Sequence, residues 1–299
     1  MNWDDLRLFL VVSRHAKLEE AAAVLRMDAT TISRRLRRLE SAIGDTLFER
    51  TRHGHILTSR GEDVARQAEA METSWLSIEE SGQTRQSVSG RVRLGVTEGL
   101  GAALIAPSMR RLAVEWPSLE VDLIALSGFV SVPKREADMS ILLTRPQSGR
   151  LKIRRLADYT LHLYGSRNYL EKYGPIRSRA ELQDHTLIGY VDDLIYSPQL
   201  RYFDEVLPGL HPQFASPSIL AQLEMTRAGT GLCILPRFLA STCQELQVLL
   251  ENDIRVERTF WLVVHEDVAS FARIRVINDC VTDIMDVNQA RLYAKQRDA

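Results

Sequence analysis

The sequence predicts an α/β chain in three parts: a mainly helical head, one long helix, and a two-lobed α/β body. Three observations carry this. Short amphipathic helices crowd residues 3–43. Val64, Ala68, Met71, Trp75 and Ile78 then recur at alternating steps of four and three inside one long polar helix. From Arg91 onward the pattern changes to short apolar runs that alternate with helices. At 299 residues, 45% of them hydrophobic, the chain can fill two or three separate cores.

The head starts with a helix over residues 3–15, where Leu6, Phe9 and Leu10 share a face and Asn2 is placed to cap. Residues 18–25 form a second short helix. Its Ala21 and Ala22 let another helix cross closely. Met27 and Asp28 then turn the chain into residues 28–43, DATTISRRLRRLESAI. There Ile32, Leu36, Leu39 and Ile43 make one narrow apolar stripe at helical spacing. Thr30, Arg34, Arg37 and Arg38 lie opposite, with Thr31 and Ser33 at the margins, and Asp28 stands at the N-cap. Arg35 flanks the apolar edge, where its stem covers the core while its charge reaches water. A helix with a buried back and a front of arginines and hydroxyls suits a DNA major groove, because those groups bond base edges and phosphates. Two short helices ending in such a reader make a helix-turn-helix. Extended runs at residues 47–50 and 55–57, joined through Arg52, His53 and Gly54, read as a wing. Arg50 and Arg52 are its candidate phosphate contacts, with His53 and His55 beside them.

Thr58 or Ser59 starts the long helix, and Ser59 with Glu62 fits a capping box. The Val64–Ala68–Met71–Trp75–Ile78 stripe occupies heptad positions and predicts a helix-pairing seam. The alternative is that it packs on the chain's own head. Pairing is favoured, since a helix-turn-helix usually reads two half-sites as a dimer. SGQTRQSVSG, residues 81–90, has almost no apolar content and reads as a linker. The expected boundaries are a winged helix-turn-helix over 1–58, a dimerisation helix and hinge over 59–90, and the body over 91–299.

In the body, strands are expected at 92–96, 119–126, 139–143, 161–164, 186–190, 231–235 and 260–264. Helices follow at about 98–115, 168–173, 216–228 and 269–288, and the segment around 133–137 has room for a short one. Strand–helix–strand order with short turns predicts a parallel sheet. Two lobes joined by crossover strands, about 91–162 with 266–299 and about 163–265, would enclose a cleft at strand ends, where open α/β sheets bind ligands.

Charge is unevenly shared. Residues 1–60 carry eleven Lys/Arg against eight Asp/Glu, while the rest carry 27 against 31. A basic head on an acidic body suits a DNA-binding module attached to something else. No apolar run approaches ~20 residues, so no membrane span is expected. The opening MNWDDLRLFL lacks the basic region of a signal peptide. Cys233, Cys243 and Cys280 are odd in number and without metal-ligand spacing. The expectation is a cytoplasmic protein.

In its order of elements the chain resembles the LysR-type transcriptional regulators over nearly its whole length. The stretches that carry the resemblance are AAAVLRMDATTISRRLRRLE (21–40), LFERTRHGHILTSRG (47–61), READMSILLTRP (135–146), RAGTGLCILP (227–236) and FWLVVHEDV (260–268). The head stretches are highly specific together; those in the body mainly mark the fold. The resemblance implies a periplasmic-binding-protein-like effector domain, a dimer through the linker helix often assembled as a tetramer, and an effector in the interlobe cleft. The family commonly writes Ser-Gln-Pro at the turn into the recognition helix. Here it is Asp28-Ala29-Thr30, so one candidate base-reading amide is missing.

By position, the effector cleft draws on Thr97, Gly99 and Leu100 after the first body strand, and on Ser127, Gly128 and Phe129 after the second. Thr144 ends the third, Tyr190 faces them from the other lobe, and Ser216 and Ser218 start a helix there. Hydroxyls and helix-start N–H groups seat a carboxylate well, so an aromatic or branched organic acid is the expected effector. Expected partners are therefore double-stranded operator DNA, a small-molecule effector and further copies of the chain, with RNA polymerase as an additional contact.

Other signals carry less. Gly99-Leu100-Gly101 lacks the third glycine of a dinucleotide fingerprint, Leu104 standing there instead. Gly229-Thr230-Gly231 precedes a strand and reads as a turn, and Asp192-Asp193 as a solvated loop. His162, His185 and His265 are isolated from other ligands, and the cysteines lack a basic cluster that would activate a thiol. No nucleophile–base pair, metal set or cofactor loop supports an enzyme. A solute-binding receptor is the remaining alternative. The attached head argues against it.

Overall fold

The first helix, α1 (Trp3–Ser13), is capped by Asn2, whose side chain accepts from the Asp5 N–H at 2.8 Å. It buries Leu6, Phe9 and Leu10. The structure is a computed structural model describing residues 2–15, 17–51, 54–80, 88–126 and 137–293; for residues 50, 51, 54, 69, 70, 73–80 and 126 it describes the backbone alone. Helix α2 (Leu18–Leu25) ends at Arg26, which takes the left-handed conformation at φ 51° and turns the chain toward the next helix. Helix α3 (Ala29–Ile43) starts at Asp28, whose carboxylate accepts both the backbone N–H and the hydroxyl of Thr31 at 2.7 Å. Gly44 closes it at φ 82°. Ile32, Leu36 and Leu39 are buried, which makes the stripe read from the sequence the back of the helix.

Strands β1 (Phe48–Thr51) and β2 (Gly54–Leu57) pair antiparallel, Phe48 opposite Leu57 and Arg50 opposite His55. Glu40 on α3 fixes this hairpin by accepting the Leu47 N–H at 2.8 Å. Helix α4 (Ser59–Glu80) follows. Its cap is Thr58, whose hydroxyl accepts the Gly61 N–H at 2.9 Å, which corrects the expected Ser59–Glu62 box. Gly61 is required by space: a Cβ there would lie 2.1 Å from the Leu47 carbonyl oxygen, which is backbone and cannot move aside. The head core joins Leu6, Phe9, Ala21, Ile32 and Leu47 to Val64, Ala65 and Ala68 of α4.

The body, residues 84–299, is a second compact unit. Strand β3 (Gly90–Thr97) runs into α5 (Glu98–Leu100), a π-helical turn (Gly101–Ile105) and α6 (Ala106–Glu115). Then come β4 (Leu119–Leu126), β5 (Met139–Leu142), the long β6 (Leu151–Ser166) and α7 (Arg167–Tyr173). Next are β7 (Leu187–Gly189), α8 (Phe203–Val206), β8 (Phe214–Ala215), α9 (Ile219–Arg227) and β9 (Leu232–Pro236). The chain ends its described part with α10 (Arg237–Ala240), β10 (Leu246–Leu249), β11 (Arg255–His265), α11 (Ala272–Val287) and α12 (Gln289–Leu292).

Among the described residues these strands form one sheet in the order β4-β3-β5-β11-β6-β9-β7-β8, with β10 also on β6. The outer strands follow the expected parallel rule: β3 pairs parallel with β4 and β5, and β7 with β8 and β9. The centre does not. Strands β6 and β11 pair antiparallel along most of their length and so join the two parallel ends. These two are the crossover strands expected between the lobes, and because each leaves one end and returns they break the parallel order at the centre. The expected short helix around 133–137 lies almost entirely outside the described residues.

Candidate functional site

On α3 the structure separates the arginines into two groups. Arg34 and Arg37 are exposed, and no ion pair among the described residues holds either. Arg35 and Arg38 instead converge on Asp5 of α1. Arg38 Nη2 donates to its two oxygens at 2.8 and 2.6 Å, and Arg35 Nε at 2.7 Å. Asp5 is 3% exposed. Arg35 therefore turns inward onto a carboxylate, and the charge expected to reach water is paired. Arg38 keeps much of its side chain at the surface, so it anchors the helix from its solvent side. Thr30 is exposed; Thr31 and Ser33 are half-buried, and the Thr31 hydroxyl is already donated to Asp28. In the wing, the Arg50 side chain and all of Arg52 lie outside the described residues.

Burial pushes the Asp5 carboxyl up, but hydrogen bonds from Arg38 and Arg35, and then their charges, outweigh it and hold it below the ordinary aspartate value. A group lowered on folding stabilises fully above its unfolded pKa, near 3.9, and that contribution disappears as pH falls through the lower folded value. The melting temperature of the head in wild type should thus exceed that of Asp5→Asn by a constant margin above about pH 5, and the margin should shrink as pH drops below ~4. A margin independent of pH down to ~2 would exclude this ion-pair cluster as its source.

The expected seam on α4 is divided. Val64 and Ala68 sit in the head's own core, as the alternative reading had it, while Met71 is half-exposed. The side chains of Trp75 and Ile78 lie outside the described residues.

In the body, two adjoining chambers open where β3 meets the opposite lobe. The larger one, about 240 Å³, lies between the end of β3, residues 141–144, and residues 196–198. Thr144 borders it, its hydroxyl 3.1 Å from that of Ser197. The smaller one, about 40 Å³, is walled by tyrosines 159, 190, 196 and 202 with Phe238 and Phe260. Tyr159 stacks on Phe260 with ring centroids 4.1 Å apart. Thr97, Leu143 and Tyr196 border both chambers. Gly99 and Leu100 line the smaller one, and Gly99 permits the lobes to approach: a Cβ there would lie 3.1 Å from Ile219 Cγ2. Ser127, Gly128 and Phe129 lie outside the described residues.

The helix start on α9 is already occupied. Glu98 accepts the Ser218 hydroxyl on Oε1 and the Ile219 N–H on Oε2, both at 2.9 Å. The seat expected for a ligand carboxylate thus holds the chain's own. Ser216 supports it from behind, accepting the Ser218 N–H at 3.2 Å. Sequence reasoning placed Tyr190 here but missed Tyr196, Tyr202 and Tyr159, which come from separate elements. Burial first, then the Glu98 charge, push the Tyr196 hydroxyl up to about 12, so it stays protonated.

The remaining candidates are structural. Burial pushes the Cys233 thiol up to about 12 and raises Cys243 and Cys280 as well. His185 bonds the Tyr169 hydroxyl, and His162 bonds Thr160. Among the described residues there is no group able to hold a metal ion and no helix long and apolar enough to cross a membrane.

Residues 3–62 match the family model "Bacterial regulatory helix-turn-helix protein, lysR family", and residues 85–285 match "LysR substrate binding domain". The chain is 25% identical to the Mau operon transcriptional activator of Paracoccus denitrificans, covering 88% of this chain and 89% of that protein. It is 24% identical to the HTH-type transcriptional regulator CrgA of Neisseria meningitidis serogroup C, covering 96% and 98%. Among solved structures, CrgA of Neisseria meningitidis superposes with a TM-score of 0.60 at 23% identity, covering 95% of this chain and 99% of that one. A full-length OxyR variant of Pseudomonas aeruginosa gives 0.70 at 18%, covering 95% and 97%.

Proposed function

This chain belongs to the LysR family of transcriptional regulators, and on that premise we propose that its α3 face reads operator DNA while the interlobe chambers take a small-molecule effector. Its family is one of transcriptional regulators, not enzymes, with a helix-turn-helix DNA-binding domain and an effector-binding domain. The observation that carries the DNA reading is the division of the arginines: Arg34 and Arg37 face out while Arg35 and Arg38 are tied to Asp5. Thr30 and Ser33 flank them as further base or phosphate contacts, Thr31 adds its free lone pairs, and Arg50 and Arg52 of the wing reach the backbone beside the groove. We assign the DNA-binding module to residues 1–58, the pairing helix and hinge to 59–90, and effector binding to 91–299. The protein works in the cytoplasm, where operator and RNA polymerase are found.

Two heads act together through α4. With Val64 and Ala68 in the head core, the seam presented to a second copy runs from Met71 through Trp75 to Ile78. Trp75→Glu puts a charge into that seam from both chains and should favour monomers. Footprinting of the full chain on DNA upstream of its own gene should show two protected half-sites about one or more helical turns apart. Trp75→Glu should lose that footprint and sediment as a monomer. An intact dimer in the variant places the seam elsewhere, and no footprint in wild type overturns the operator reading.

For the effector, the organic acid expected from hydroxyls and helix starts would have to displace Glu98 from Ser218 and Ile219. Thr97, Gly99, Leu100, Thr144, Tyr190, Ser216 and Ser218 remain the proposed frame of the site, with Ser216 and Ser218 acting through Glu98. An effector that closes or opens the chambers must bind the two arrangements with different affinity to shift operator binding.

A further inference from the structure

We propose that the interlobe chambers select a cationic ligand, an amine with an apolar body, whose ammonium group pairs with Glu98. This rests on the reading of those chambers as the effector site. Glu98 is the lone charged residue among the described residues that line either chamber. Arg258, the cation whose charge reaches Tyr159, lines neither; it is held by Glu205 and by the Gln199 carbonyl. Among the described lining residues an anion meets a carboxylate and no counter-charge, whereas an ammonium meets its counter-ion at once.

The surroundings fit the same chemistry. An ionised carboxylate has about four lone-pair sites. Ser218 and Ile219 each use one and thereby fix the orientation of Glu98, leaving acceptor capacity on both oxygens. Tyr159, Tyr190, Tyr196 and Tyr202 line the same chamber, and an aromatic ring attracts a cation that reaches its face. The smaller chamber, about 40 Å³, has room for a group little larger than one water, the size of an ammonium head. The larger chamber is lined mainly by aliphatic and aromatic residues and adjoins it at Thr97, Leu143 and Tyr196. It receives the rest of the molecule. A small polar head beside Glu98 and a larger apolar body next to it are what an arylalkyl or alkyl monoamine supplies.

The test uses the full chain and three probes of one shape and different charge: benzylamine, benzyl alcohol and benzoate, titrated by calorimetry near neutral pH. Benzylamine should bind at least tenfold more tightly than benzoate. Glu98→Gln keeps an acceptor for Ser218, so the fold should survive; it should weaken benzylamine by tenfold or more and leave the alcohol within about threefold. Glu98→Asp, which keeps the charge, should retain part of the amine affinity. If benzoate binds better than benzylamine and gains further in Glu98→Gln, the chambers stand as the site but the amine assignment is overturned. If benzylamine binds wild type, Glu98→Gln and Thr97→Val alike, or no probe binds any form at millimolar concentration, both the amine assignment and the interlobe reading fail. Melting temperatures of the variants within a few degrees of wild type keep these outcomes separate from misfolding.

Discussion

Phe9→Ala should destabilise the head by about 3–5 kcal/mol, which is the usual cost of emptying a buried phenylalanine site. Phe9 is fully buried on α1, and its ring lies 5.3 Å from that of Phe48, the first residue of the wing. The same cluster takes in Ile32, Leu36 and Leu39 from the back of α3 and Val64, Ala65 and Ala68 from α4. The elements around it are tied together by side-chain-to-backbone hydrogen bonds, such as the Glu40 carboxylate accepting the Leu47 N–H and the Thr58 hydroxyl donating to the Thr46 carbonyl, so they cannot readily close the cavity. A folded domain has about 5–15 kcal/mol in total, so the loss is a large fraction of it. Hydrogen exchange measures this region by region. Amides of α1 and α3 should lose protection by a factor of about a hundred or more, while those of β6 and β11 keep theirs. Unchanged protection in α1 would show that the Phe9 site collapses without loss. Leu36→Ala, at a position 7% exposed, should give the same pattern at about 2–5 kcal/mol.

The head was legible because its signals are local. The cap at Asp28, the apolar stripe of α3 and the turn into it through Met27 and Asp28 all arise within a few residues of one another, and the periodicity of a short helix is sampled fully in such a window. Features resting on distant pairs were not legible. Asp4 and Asp5 in the first turn of α1 look alike in sequence, as acids favoured near a helix N-terminus. Only the fold shows that Asp5 meets Arg35 and Arg38 some thirty residues on. Glu98 and Ser218 are 120 positions apart, so the filled anion seat has no sequence signature. The first part of β6 was missed for another reason. Lys152, Arg154, Arg155 and Asp158 break its apolar alternation, and its half-exposed face conceals a strand that the neighbouring β11 makes necessary. Strand β10 is four residues long with none of them fully buried, too weak a pattern to register.

Replacing Arg34 and Arg37 together should reduce operator affinity more than any other pair of surface changes. Each arginine on a base edge is worth about 1–3 kcal/mol, and each on a phosphate lowers the slope of log K against log salt by about 0.9. The two measurements separate the roles. A side chain reading a base changes which sequences are preferred, while one on phosphate weakens all sequences alike and flattens the salt dependence. Arg38→Ala is the instructive control. Its guanidinium is tied to Asp5, so its removal should lower head stability as well as affinity, and its effect on the salt slope should be smaller than that of Arg34 or Arg37. Asp5→Asn tests the same link from the other end: it weakens the hold on Arg38 without removing a positive charge. If the Arg34/Arg37 double variant keeps the wild-type affinity and slope while Arg38→Ala loses both, the DNA-facing side of α3 is centred on Arg38, and the division made by Asp5 does not mark the contact surface.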